Sequence, residues 1–326
     1  MFLIFMGTIK TFDEFNSGKR RVFPFEYGLT KIDREINDVI WESMGHSDDV
    51  EHIVDDLVKQ INECIVDGEF ERIENTDDVD FINDEISRKS DLYKIEQTFV
   101  INDFVFITEC TLMNYSNMSD NEFQMVSTLN VIARIRKLTE TRFKLMCYIP
   151  SRNFEMCEKG ISVLNHEIMH AWQDYNKSTE GKKENAYPVW NSLYKKSTEK
   201  LLHKPDDLLS KVIYYADLRE LCAFTQQAYY ELEKINDIDD VHRKIRNMEI
   251  YKGYVTIKNG IDYLKNNSYP DEYKEINKTR LLYILNLRYE KYKRNIARLI
   301  VSRKETLEEE LTYTDVSRTE LMMIWG

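Results

Sequence analysis

From residue 50 to 66 apolar side chains recur every three to four positions, the spacing of a helix that buries one stripe. The period then changes. Between Glu96 and Tyr115, β-branched and aromatic residues crowd together in Phe99-Val100-Ile101 and Phe104-Val105-Phe106-Ile107-Thr108, which predicts two strands around a turn at Asn102-Asp103 and hence a hairpin. Ser119-Asp120-Asn121-Glu122 joins a capping residue to acids in a first turn, predicting a helix that runs to about Lys137. Residues 143–149 partly alternate and stop at Pro150, as a strand does where proline cannot donate to a ladder. A helix over residues 161–175 follows, then a polar connection over 176–185. A long helix is expected from Pro205 to about Ile235, and two more over 239–267 and 272–303.

Composition sharpens this into a fold class. Glycine (10) and proline (5) are scarce and charged residues reach 31%, which favours long helices over a turn-rich all-β architecture. The expectation is an α+β fold, predominantly α-helical, with a small mixed sheet and long C-terminal helices. Three regions are expected: an acidic, mainly helical region 1–95, a core 96–236 and a helical region 237–326. The runs Asp48-Asp49, Asp55-Asp56 and Asp77-Asp78-Val79-Asp80 read as solvated faces and loops.

A net charge of -12 argues against nucleic acid as a partner, since phosphate binding needs a cationic footprint. The five cysteines are spread out and form no CxxC pair, so neither a disulfide framework nor a thiolate zinc cluster is suggested, and a reducing compartment is the simpler reading. The apolar opening Met1-Phe2-Leu3-Ile4-Phe5-Met6 lacks the basic lead and cleavage site of a secretory signal and is expected to be a strand or packed arm. No stretch approaches the roughly 18 to 20 apolar residues of a spanning helix. A soluble, cytoplasmic protein without membrane contact is expected.

The chemistry is concentrated in Asn165-His166-Glu167-Ile168-Met169-His170. Residues four apart on a helix stack one turn above each other, so both imidazoles can point at one metal ion while Glu167 projects beside them. At about 100° per residue, Ile161, Leu164, Ile168, Ala171, Trp172 and Tyr175 gather on the opposite face for packing. Glu167 is the only charged side chain between Ile161 and Gln173, an arrangement foreign to a solvated helix.

Residues 163–172 resemble the active-site helix of the zincin metallopeptidases, which surround His-Glu-x-x-His with uncharged or apolar residues. The resemblance covers this helix, residues 143–149 before it and the helix after it; nothing in 1–95 or 240–326 contributes. It implies a zincin-like core, a catalytic Zn2+ held by His166, His170 and a third protein ligand, and water in the fourth position. The metzincin extension asks for Gly at 173 and His at 176, where this chain has Gln173 and Asn176. The gluzincin-like branch takes a Glu from a later helix, which Glu220 in Glu-Leu-Cys-Ala supplies. The stripe Leu209, Ile213, Ala216, Glu220, Ala223 independently places this one carboxylate on an apolar face, where it needs a partner. Asp217 is the main rival and His203 a weaker one; pairing of Glu220 with Arg219 or Arg243 is the bland account. The family's Asp four residues after the ligand Glu is Phe224 here, so the outer partners of the ligands are open. Asp174 is placed to orient an imidazole.

The resemblance implies a zinc-dependent metallopeptidase in which Glu167 assists attack of zinc-activated water on a peptide bond. Tyr214, Tyr215 or Tyr187 would stabilise the oxyanion, with Tyr215 the choice. Residues 143–149 would be the edge strand along which a peptide or protein substrate pairs. The alternative is a zinc-containing structural or assembly protein, a pseudo-enzyme, with the C-terminal helix carrying Leu282, Tyr283, Leu285, Leu287, Tyr289 and Tyr292 as an oligomer surface. A third account is a regulatory protease that cuts one partner; the Lys-, Asn-, Ile- and Tyr-rich wording suggests a bacterial or phage genome.

Overall fold

The computed structural model describes residues 48–73, 90–116, 118–129, 131–179, 188–235 and 237–307. The expectations for residues 1–6, 77–80 and Tyr187 fall outside them. The fold is α+β and predominantly helical, with one mixed sheet, as composition predicted. No helix among the described residues is long and apolar enough to cross a membrane. All five cysteines are buried free thiols.

Backbone packing divides the described residues into two units. One takes those within Ser47–Glu184 and Cys222–Glu231, the other those within Asn185–Leu221 and Leu232–Gly326. A composition shift along the chain cannot reveal that a ten-residue stretch packs with a distant segment, as Ala223 does in the core beneath the sheet.

The sheet-bearing unit starts with α1 (Asp48–Val66). Strand β1 (Glu71–Ile73) follows, then β2 (Asp91–Ile101) and β3 (Phe104–Asn114). The last two form the expected hairpin, longer than its apolar kernel. Asn102 sits at φ 52°, the left-handed conformation that a two-residue turn demands and Asn tolerates. The helix expected to reach Lys137 stops early: α2 (Asp120–Leu129) gives way to β4 (Ile132–Lys137). Its start is as read, since Ser119 and Glu122 bond each other in a capping arrangement. In Ile132-Ala133-Arg134-Ile135-Arg136-Lys137 the arginines alternate outward, a period of two that wins over helix continuation.

β5 (Arg142–Arg152) lies between β3, to which it is parallel, and the antiparallel β4, while β6 (Glu155–Met156) pairs with its end. The order β1-β2-β3-β5-β4 corrects the expectation for residues 143–149: they form an interior strand, and among the described residues β4 is the edge. Phe143, Leu145, Cys147 and Ile149 are fully buried, which is the character of a central strand.

One face of the sheet is covered by α1 and by α3 (Glu158–Thr179), the helix that carries the motif. Val50, Ile53, Val54, Leu57 and Ile61 of α1 and Leu164, Ile168 and Ala171 of α3 meet Ile95, Phe106, Leu112, Leu145 and Ile149 there. Gly160 lets α3 come close to β5, since a Cβ at this position would lie 2.3 Å from the Ile149 side chain.

The second unit is helical: α4 (Pro188–His203), α5 (Leu208–Ala216), the ends of α6 (Leu218–Glu233), α7 (Ile238–Ile245), α8 (Glu249–Asn266) and α9 (Lys278–Leu307). The single helix expected from Pro205 to Ile235 is broken at Asp217, which is extended and whose carboxylate accepts from the Arg219 amide to cap α6. The helix over 239–267 is likewise two, divided at residues 246–248. On α9, Leu281, Leu285, Tyr292, Ile296 and Ile300 are buried within the protein's own packing, while Tyr283 is exposed.

Candidate metal centre

His166 is buried and His170 half-buried, successive turns of α3 presenting them on one face. Their Nε2 atoms stand 3.2 Å apart with the rings near perpendicular. Glu220 lies in the first turn of α6, the helix whose following residues Cys222–Glu231 pack in the sheet-bearing unit. One ligand atom from each of His166, His170 and Glu220 falls within 4.8 Å of the others, so this group can hold a metal ion.

The donor set and spacing fit a tetrahedral ion. Two nitrogens bound at about 2.0–2.1 Å to one centre lie roughly 3.3–3.4 Å apart, close to the separation found here. Two neutral imidazoles that both aimed lone pairs across this gap would repel; a shared cation turns the contact into an attraction.

The partners around these residues are specific. His170 Nδ1 lies 3.2 Å from Gln173 Oε1, one turn further along α3, where an Nδ1–H donating to the amide oxygen leaves the Nε2 lone pair for the ion. Gln173 is 1% exposed. This is the role expected of Asp174, which stays half-buried and meets Lys137 through its backbone oxygen. Phe224 packs its ring against His166, centroids 4.7 Å apart, so an aromatic contact holds that imidazole where the gluzincin pattern has a carboxylate.

Replacing Gln173 by Ala is expected to weaken metal binding by about 10- to 100-fold, measured by competition with a chromophoric chelator, while Gln173→Glu retains an acceptor and stays near wild type. An unchanged affinity for Gln173→Ala would remove this role.

Glu220 is 5% exposed. Tyr194 donates its hydroxyl to Glu220 Oε1 at 2.5 Å, and Tyr214 also hydrogen-bonds this carboxylate. Burial first, and then the Glu220 charge, push both phenols far above their ordinary range, so they act as donors and not as phenolates. Tyr215, the expected oxyanion donor, is engaged elsewhere: its hydroxyl donates to Glu249 at 2.8 Å. Adjacent residues on a helix point about 100° apart, which is why Tyr214 and not Tyr215 reaches Glu220. Tyr194 was not legible, because nothing in its local wording marks α4.

The rivals for third ligand are placed differently. Asp217 accepts from Trp190 Nε1 at 3.0 Å and from the Arg219 amide. His203 is exposed at the end of α4, and Arg243 pairs with Asp240, not with Glu220. The Glu167 Oε2 accepts the backbone amide of Ile135 on β4 at 2.8 Å.

The arrangement defines a class, an α+β protein with a candidate His-His-Glu metal centre. Compared with protein families, curated proteins and solved structures, the chain matches none. The likeness to metallopeptidases therefore stays with the motif helix and the later glutamate.

Proposed function

We propose that this protein is a zinc-dependent metallopeptidase. The observation that carries the reading is the convergence of His166, His170 and Glu220; Glu167 follows His166 directly on the motif helix and is not one of the three. His166 and His170 through Nε2, and Glu220 through a carboxylate oxygen, would hold the ion. Zinc bound there would supply Lewis acidity that polarises a scissile carbonyl and makes water easier to deprotonate at neutral pH.

The remaining work falls to side chains. Glu167 takes a proton from the attacking water and returns it to the leaving amine. The Ile135 amide, donating to Oε2, fixes the rotamer of Glu167 and leaves Oε1 for the water. Tyr194 and Tyr214 hold the Glu220 carboxylate in place, and Gln173 and Phe224 set the two imidazole planes.

Elemental analysis of the purified protein is expected to find about one zinc per chain, as in sites with three protein ligands and an open position. An unstructured protein such as casein should be cut, with cleavage lost to a chelator and restored by zinc. Absence of zinc would sink the reading, whereas zinc without cleavage would favour a structural centre.

A further inference from the structure

Helices α3 and α6 meet along one seam of regularly spaced side chains. On α3 it is made by Ser162, His166 and His170, and on α6 by Glu231, Gln227, Phe224 and Glu220. Both series step by three or four residues, the spacing that keeps side chains on one face of a helix. The contacts run in opposite chain order: Ser162 meets Glu231 and Gln227, His166 meets Phe224, and His170 joins Glu220 in the candidate ligand group. One end of the seam holds the ligands; the other holds a polar network that the proposed chemistry does not use.

In that network Ser162 donates its hydroxyl to Glu231 Oε1 at 2.5 Å. Gln227 Nε2 donates to Ser162 Oγ at 2.9 Å and to Glu231 Oε1 at 3.0 Å. Lys159 Nζ adds an ion pair to the same oxygen at 3.2 Å. Ser162 is fully buried, Gln227 is 5% exposed and the Glu231 side chain 11%. Such groups satisfy one another at a single register, because sliding one helix along the other would strand each of them away from both partner and water. Apolar contacts, such as those of Ala223 in the core beneath the sheet, are non-directional and make no such demand.

Register matters at the metal end. One turn of slip moves a side chain by about 5.4 Å along the axis, whereas metal–ligand distances hold to within about 0.2 Å. Glu231 and Glu220 are separated by eleven positions of one helix, roughly 16 Å, so a shift at one end is carried to the other. We infer that Ser162, Gln227 and Glu231 are positioning residues for the metal centre: they set α6 in register on α3 and so bring Glu220 to His166 and His170. The inference rests on the metal centre of the reading above and is independent of peptide cleavage. Buried polar groups between paired helices fix register at a cost in stability, so metal affinity and stability are expected to move separately.

The test uses the full-length protein, zinc affinity by competition with a chromophoric chelator, and the visible spectrum of the Co2+-loaded form, which reports coordination number. The triple variant Ser162→Ala, Gln227→Leu, Glu231→Leu keeps the bulk of the seam and none of these hydrogen bonds, and the partly exposed Lys159 can turn to water. Zinc binding is expected to weaken about 10- to 100-fold, as on loss of an outer partner, with a changed Co2+ spectrum. The melting temperature of the metal-free protein should stay at or above wild type, since apolar replacement of a buried ionic network is often neutral or stabilising. Glu231→Gln, whose amide oxygen still accepts from Ser162 and Gln227, should bind zinc near the wild-type level. Should the triple variant not fold, Ser162→Ala, which deletes only a hydroxyl, carries the same expectation. Wild-type affinity and spectrum in the apolar variant, or equal losses in Glu231→Gln and Glu231→Leu, would overturn the inference and leave the metal centre standing. If the apolar variant loses zinc, Glu231→Gln keeps it and the wild type cuts nothing, the positioning stands and the peptidase falls. A wild type that binds no zinc removes both.

Discussion

Glu167→Gln is expected to lower kcat for peptide-bond hydrolysis by about 10²- to 10⁴-fold while zinc content and thermal stability stay near wild type. The amide is almost isosteric with the carboxylate, and its oxygen can still accept from the Ile135 amide, so β4 and α3 keep their register. What disappears is the basic oxygen that takes a proton from water. KM should change little, because Glu167 is not a ligand and its role is in moving the proton. Steady-state kinetics together with zinc analysis provide the measurement. A variant that keeps zinc and keeps full activity would show that another group is the base, and one that loses zinc would show that Glu167 helps hold the ion.

The second large effect is expected at the ligands. Glu220→Ala and His170→Ala should each weaken zinc binding by more than the roughly 100-fold that loss of an outer partner alone can cost, so that the purified variants carry little metal. Glu220→Ala also strands the buried hydroxyls of Tyr194 and Tyr214, and a stability loss should accompany it. Glu220→Gln separates the two consequences: the amide oxygen still accepts from tyrosine but brings no charge to the ion. Asp217→Asn should keep its zinc, because the Asp217 carboxylate is engaged in capping α6 and in accepting from Trp190. Zinc analysis and chelator competition across the set decide it. Loss of metal in Asp217→Asn with retention in Glu220→Gln would move the third ligand from Glu220 to Asp217.

These two expectations differ in how far local wording supports them. His166, Glu167 and His170 lie within one helical turn, where spacing alone determines which side chains share a face. Glu220 is separated from them by about fifty positions, and the stripe that singled it out crosses a break at Asp217. All five residues of that stripe are nonetheless buried, so apolar patterning located the burial even though it misjudged the helix.

Local propensity and periodicity determined α1, the β2–β3 hairpin with its Asn102 turn, the capped start of α2, the motif helix and the predominantly helical α+β class. Each depends on interactions between residues a few positions apart, which the order of amino acids specifies directly. Tertiary structure alone decided that β5 is interior and, among the described residues, β4 the edge, that Cys222–Glu231 packs with the sheet-bearing unit, and that Gln173, Phe224, Tyr194 and Tyr214 surround the ligands. Strand order and contacts between distant segments depend on how whole buried faces fit against one another. A pattern read along one chain shows which faces are apolar, but the packed core determines which of them meet.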